Sequence, residues 1–336
     1  MRLRALSWLP WLLLCFVPLF TNGYWQYTFN LVLVNVTIIV GLNLLLGYAD
    51  QFAFSHAALM GIGAYTVSLL GARLGVSFWI GLPLSGVTAA LIGSIAALQA
   101  MRLKRVYLAL VTIAFAELIV WVLVNWRSVT LGTDGVSLPT PSFFGWDVEG
   151  DKRVYFVVLA VTAIMWWLAG RILQSHIGRA FIAIRENEIL AQCCGINVPL
   201  TKTVVFALSA FYAGIGGALF ALVLGFIVPS SFNLLTLVMQ FSAVVLGGQI
   251  SLIGSAIGAG LLTALPEVLR DFQGLQEVIY GVVLIACVVI MPSGIAGQLH
   301  RLHLLPREVL ARHWRDLLPT TGTSRWLRRA AASRPQ

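Results

Sequence analysis

Five polar side chains interrupt otherwise apolar runs of this 336-residue chain: Asn35, Asn43, His56, Glu117 and Gln240. Inside hydrocarbon such groups are expensive unless they are paired, neutral or facing a cavity, so each marks a candidate site. Glu117 stands about twelve residues into its run, near the middle of a membrane span. Three roles are open to it: lining a substrate path, hydrogen bonding a neighbouring helix in its protonated form, or pairing with a cation. Asn43, His56 and Gln240 join it as candidates for a translocation path, although the position of His56 near the end of its span reads more naturally as a cap or packing group. Catalytic patterns are absent. Ser55-His56 is a dipeptide without the G-x-S-x-G elbow that presents a nucleophile. No H-E-x-x-H occurs, and the four cysteines have neither metal-ligand spacing nor a disulfide framework. Cys15, Cys193, Cys194 and Cys287 therefore read as packing residues. Lys202, which alone of the three lysines precedes a Ser or Thr, follows Thr201 rather than the glycine of a phosphate loop. The chain is not read as an enzyme, no cofactor is indicated, and any ATP energy must come from another subunit.

One long polar stretch, GRAFIAIRENEILAQCCGINVPLTK (178–202), lies between apolar runs and has helical order of its own. Asn187 fits an N-cap, Glu188 then occupies the first turn near the positive end of the dipole, and Gly195 fits the C′ stop. This predicts a helix of about two turns over 188–194, too short to persist alone in water. Membrane helices support one side of it, and a second protein is expected on the other.

The elements that must hold these residues are apolar helices. Hydrophobic residues make up 59% of the chain and charged residues 10%, where soluble domains are nearer a half and a quarter. At about 20 residues per span, there is room for roughly ten spans. They are expected near 5–20, 29–47, 52–71, 78–100, 106–125, 154–170, 203–225, 234–247, 250–265 and 278–291. No small-x-small cleavage site follows Phe20, so the first run reads as a helix rather than a signal peptide. The eighth and ninth spans are short and glycine-rich, which suits tilted, broken or re-entrant helices. Glycines at 61, 63, 214, 216, 217, 254, 258 and 260 predict close helix packing. Asp50-Gln51 and Gly248-Gln249 each precede a glycine-rich helix, a faint internal repetition.

The formal charge of +9 does not indicate nucleic acid, because the basic residues sit in short loops and in the last forty residues. With ten spans and the N-terminus inside, seventeen basic residues fall on the cytoplasmic side and five on the other. That is the sense of the positive-inside rule, and the opposite orientation reverses it. Residues 1–297 thus read as a transmembrane domain with a cytoplasmic loop at 173–202. Residues 298–336 read as a basic cytoplasmic tail, a solvated end or a surface lying on anionic membrane lipid.

The stretch GRAFIAIRENEILAQCCGINV resembles the coupling loop of LivM-type permeases in branched-chain amino acid ABC importers. GLNLLLGYADQFAFSHAALMGIGAY, LKRVYLALVTIAFAELI, SAFYAGIGGALFALVLGFIVPSSF and MPSGIAG follow in the family's order, over about 41–297. The resemblance implies an all-α polytopic fold similar to the type II permease of the vitamin B12 importer. By the same resemblance Arg185, Glu186, Asn187, Glu188 and Gly195 lie on the loop that docks with the ATPase subunit. Where relatives commonly read GQLSLGHAA this chain has DQFAFSHAA, with Asp50 and Ser55 in place of glycines, and GGQISLIGS stands for the usual GGLGSLWGP. Gate behaviour and substrate range are the properties these departures touch.

The resulting expectation is the permease subunit of an ATP-driven importer in the bacterial inner membrane, with both termini cytoplasmic. Its cargo would be branched-chain or related hydrophobic amino acids. A second, LivH-type permease, two ABC ATPase subunits and a periplasmic binding protein would complete it. A relative moving urea, short amides or other small organic solutes shares the resemblance. A secondary transporter would need several midplane coupling residues where only Glu117 qualifies, and an intramembrane enzyme would need a catalytic pair.

Overall fold

The computed structural model describes residues 23–100, 105–139, 142–143, 146–147, 150–268 and 294–301, with isolated positions at 14, 18, 281, 282 and 285. The spans expected at 5–20 and 278–291, nearly all of the tail, Cys15 and Cys287 lie outside the described residues. Met1–Gln298 form one compact unit and Leu299–Gln336 another; the architecture that follows is that of the first.

Among the described residues, six helices are long and apolar enough to cross a membrane, and two shorter apolar ones follow. Helix α1, Gly23–Asn43, runs on through a π turn at Leu44–Tyr48. After it come α2 (His56–Leu74), α3 (Phe78–Ala100), α4 (Arg105–Asn125) and α5 (Asp151–Gln174). The polar stretch folds as α6 (His176–Glu186) and α7 (Glu188–Cys193). The last described membrane helices are α8 (Val198–Leu224), α9 (Leu234–Gly247) and α10 (Leu252–Val268). The protein is an all-α polytopic membrane protein.

Helix α8 starts five residues before its expected 203 because polar signals outside the apolar run set its end. The side-chain oxygen of Asn197 accepts from the Leu200 amide at 3.2 Å, and Pro199 sits in the first turn, where a missing N–H costs nothing. At 14 residues, α9 is about 21 Å long, well short of the ~30 Å hydrocarbon layer. Asn233 caps it by accepting from the Thr236 amide at 3.0 Å, and it stops at Gly248.

Helix α8 is the central strut, packing on α1, α2 and α3. Three glycines within four residues of it each admit a different helix. A Cβ on Gly214 would collide with the Ser85 carbonyl of α3, one on Gly216 with Ile38 of α1, and one on Gly217 with the Met60 carbonyl of α2. Lipid supplies no hydrophobic drive between helices, so this close approach, and the dispersion it gains, is what binds them. Side-chain hydrogen bonds add to it: among them, the Tyr212 hydroxyl of α8 donates to the Met165 carbonyl of α5 at 2.9 Å, and the Thr37 and Thr162 hydroxyls meet at 3.1 Å.

The segment between α4 and α5 adds two-residue ladders to the helical fold. Strand β1 (Val136–Ser137) pairs antiparallel with β4 (Phe226–Ile227), and β2 (Ser142–Phe143) with β3 (Trp146–Asp147). Arg73 at the end of α2 donates to the Ser128 carbonyl at 2.7 Å, closing the same end of the bundle.

Candidate functional site

The polar stretch forms two helices folded over one end of the bundle. Phe181 and Ile184 of α6 are buried, and Ile184 makes a small apolar cluster with Ala191 of α7 and Val198 of α8. Asn187 breaks the path between α6 and α7 with extended backbone, and its side-chain oxygen accepts from the Ile189 amide at 2.9 Å and the Leu190 amide at 3.1 Å. This is the N-cap expected from the sequence. The helix ends one residue before the expected 194. Gly195 follows with φ 83°, a left-handed conformation that side chains resist, and its amide donates to the Gln192 carbonyl at 2.9 Å.

One face of α7 is therefore spent on the bundle through Ala191, and the other is open. Ile189 is 71% exposed, Leu190 63% and Leu200, one turn into α8, 62%. Glu186 and Glu188 are exposed beside them, and Glu188 pairs with Lys202 at 2.6 Å. Cys193 and Cys194, expected as packing residues, are both exposed free thiols on this face. Helical phase accounts for Cys193, which lies on the side of α7 opposite the inward Ala191, whereas Cys194 is the C-cap beyond the last helical residue. Arg185 is half-buried on α6, toward the bundle rather than with the open face.

The candidate path residues do not converge on one channel through the chain. Glu117 is exposed on the outer side of α4, in a shallow groove of about 530 Å³ lined by Leu118, Val120, Trp121, Val124 and Asn125. Tyr107, Leu110, Leu118 and Trp121 extend the same outward face along the helix. His56 is 1% exposed as the first residue of α2, in keeping with a packing role at the helix start. One turn on, the Met60 sulfur accepts from the Gln240 amide at 3.5 Å, tying α2 to α9. Asn43, fully buried, donates to the Ser255 hydroxyl at 2.6 Å and the Ser251 carbonyl at 3.2 Å.

That last contact belongs to an arrangement the sequence does not announce. The two segments noted for faint repetition are both chain corners with left-handed backbone: Asp50 has φ 53°, Gly248 108° and Ile250 67°. Aspartate tolerates this region, which accounts for its standing where glycine is usual. A β-branched residue does not, and Ile250 stores about 1–3 kcal/mol of strain. The Tyr48 hydroxyl donates to the Ile250 carbonyl at 2.8 Å and helps to hold it there. Tyr48, Ser251 and Ser255 were not singled out from the sequence. The polar spacing around Gly248-Gln249 was their only local trace.

Apolar helices packed by glycine define an integral membrane protein, and one end of it carries a capped helical turn with an open apolar face. The chain belongs to the family described as "Branched-chain amino acid transport system / permease component", which matches residues 26–291. It is 31% identical over 290 residues to the "High-affinity branched-chain amino acid transport system permease protein LivM" of Escherichia coli K12, covering 79% of this chain and 68% of that protein. It is 27% identical over 298 residues to the "High-affinity branched-chain amino acid transport system permease protein LivH" of E. coli K12, 81% of this chain and 95% of that one. The "Autoinducer 2 import system permease protein LsrC" of Klebsiella pneumoniae is 30% identical over 189 residues, 54% of this chain and 49% of LsrC. No solved structure matches.

Proposed function

We propose that this chain is the permease subunit of an ATP-driven importer carrying branched-chain or related hydrophobic amino acids across the bacterial inner membrane. It docks with an ATPase subunit through α7. The observation that carries the docking is the open apolar face of Ile189 and Leu190 on a helix too short to persist unsupported. Asn187 and Gly195 set the ends of that helix, while Arg185, Glu186 and Glu188 give its surroundings their charge. The positive-inside bias puts this loop and both termini in the cytoplasm, with 1–297 as the permease domain and 298–336 as the tail.

A second permease, resembling LivH, covers the outer face of α4. A carboxylate at mid-span on an exposed face is expensive against lipid and is accommodated by a polar partner or an aqueous path. Glu117 is accordingly assigned to the boundary between the two permeases, where the cargo passes. The burial of Asn43, His56 and Gln240 supports work inside the subunit rather than contact with cargo. A periplasmic binding protein delivers the solute, and two ATPase subunits drive its release. The likeness to LsrC favours a second reading, in which the same machinery moves another small organic solute, urea and short amides included.

The docking is tested by co-purification. Ile189→Asp combined with Leu190→Asp should leave the permease in the membrane at normal abundance yet lose the co-expressed ATPase subunits and ATP-driven uptake. Retention of both by the double variant overturns the assignment.

A further inference from the structure

Tyr48 joins two parts of the molecule that the proposed function needs to move together. On one side, α6 packs against the π turn Leu44–Tyr48. On the other side the Tyr48 hydroxyl, buried with 2% of the residue exposed, donates to the carbonyl of the strained Ile250. Asn43, just before the π turn, grips the next residues of the same corner through the Ser251 carbonyl and the Ser255 hydroxyl. Gly47 lies between the two grips; a Cβ there would strike the Asn43 side chain and crowd the Ile250 amide. One short turn of α1 thus holds the α9–α10 corner from two sides while carrying the loop that holds α7.

We infer that the Tyr48 hydroxyl is the positioning contact through which movement of the docked loop reaches the α9–α10 corner. Three features of the geometry support it. A π turn has one residue more than an α turn and is found preferentially where a helix serves function. Backbone strain such as that at Ile250 persists only where surrounding contacts over-determine it, and here Tyr48 of the π turn and Asn43 just before it supply such contacts. An element held in strain by a few hydrogen bonds has a second, relaxed arrangement available when they are pulled, which is what a switch requires. When the ATPase pair shifts α7 and α6, the π turn moves with them, Tyr48 and Asn43 draw on the corner, and α10 changes its angle to α9. The inference rests on the docking proposed above.

The test uses the complete importer, with its ATPase subunits and binding protein, in proteoliposomes. Tyr48→Phe keeps the ring and removes only the hydroxyl. Assembly and ATP hydrolysis should stay near wild type, while solute moved per ATP falls about fivefold or more. Ile250→Gly relieves the strain without touching Tyr48 and should lower the same ratio. If the hydroxyl acts through the corner, the Tyr48→Phe, Ile250→Gly double variant is no worse than either single one. Wild-type transport per ATP in Tyr48→Phe overturns the inference, as does a double variant whose losses multiply. Should the wild-type assembly itself fail to form or to couple, the docking is at fault instead. Ser255→Ala, which removes a partner of Asn43, gives an independent reading of the same ratio if Tyr48→Phe is poorly produced. It should lower that ratio, and an unchanged one counts against the relay.

Discussion

Glu188 and Lys202 meet at 2.6 Å, joining the first turn of α7 to α8 around the chain reversal at Gly195. The pair closes the loop on itself, so α7 is held at its N-terminus by Asn187, on its inner face by Ala191 and at its flank by Lys202. A partly exposed ion pair contributes at most about 1 kcal/mol. The value of this one is in orientation: it helps fix which face of α7 is open.

Removing the cap should show this first. Asn187→Ala deprives the Ile189 and Leu190 amides of their acceptor at a local cost of about 0.5–2 kcal/mol, whereas Asn187→Asp keeps one. In reconstituted importer the alanine variant should lose substrate-stimulated ATP hydrolysis and uptake together, at unchanged membrane abundance. The aspartate variant should keep most of both. A Glu188→Arg, Gly195→Pro double variant is the severe case, and normal coupled transport from it would remove the role of the loop.

Glu117 separates charge from hydrogen bonding. If it serves as a hydrogen-bonding group at the permease boundary, Glu117→Gln should retain most uptake and Glu117→Leu should lose it. If its charge draws the ammonium group of the cargo, the two variants should fail alike. Uptake at matched membrane abundance distinguishes these roles.

Cys193 and Cys194 provide a native footprint. With Cys15 and Cys287 replaced, an impermeant maleimide should label the remaining pair in inside-out vesicles lacking the ATPase subunits and spare it once they are bound. In intact spheroplasts it should label an added Thr133→Cys, exposed at the opposite end, and leave the pair untouched. Labelling of the pair from outside would contradict the proposed orientation.

The glycines of α8 predict a stability contrast. Gly217→Leu drives a side chain into the Met60 carbonyl and should cost at least about 1–3 kcal/mol, seen as a lower thermal midpoint of the purified protein and reduced abundance. Gly170→Ala on α5 meets open space and should be neutral or stabilising by up to about 1 kcal/mol.

Specificity is expected to reside elsewhere than in this chain. Holding both ends of a zwitterion takes several placed donors and acceptors, and the groove on the outward face of α4 presents Glu117 and Asn125 among apolar side chains. Calorimetry on the permease–ATPase assembly should show no tight leucine binding, and ATP-driven uptake should require the binding protein. Tight binding without it would make the Glu117 groove a true recognition site.

What the sequence made legible is what short-range chemistry controls. The Asn187 cap, the stop at Gly195 and the bounds of α9 all depend on side chains within four residues of the backbone they satisfy, and they stand where local rules put them. The phase of α7 was harder, since the inward turn of Ala191 depends on Ile184 and Val198 meeting it, and that turn leaves Cys193 on the open side. Glu117 illustrates a limit particular to membranes: every face of α4 is apolar, so periodicity cannot distinguish a face that meets protein from one that meets lipid. Tyr48 and Ile250 lie 202 positions apart, and nothing near either residue signals the other.

The pairing of β1 with β4 imposes an order in time. Val136 leaves the ribosome two membrane spans ahead of its partner Ile227, because α5 and α8 are both made between them. During that interval the main chain at 136–137 lacks its ladder partner, and the outer seam of the bundle stays open. Fastening this seam is therefore a late step of biogenesis, possible only after α8 has entered the bilayer and brought its far end to the correct side. A nascent chain halted after α5 would be integrated but not yet latched, and its outer segment would be open to proteases that the finished protein resists.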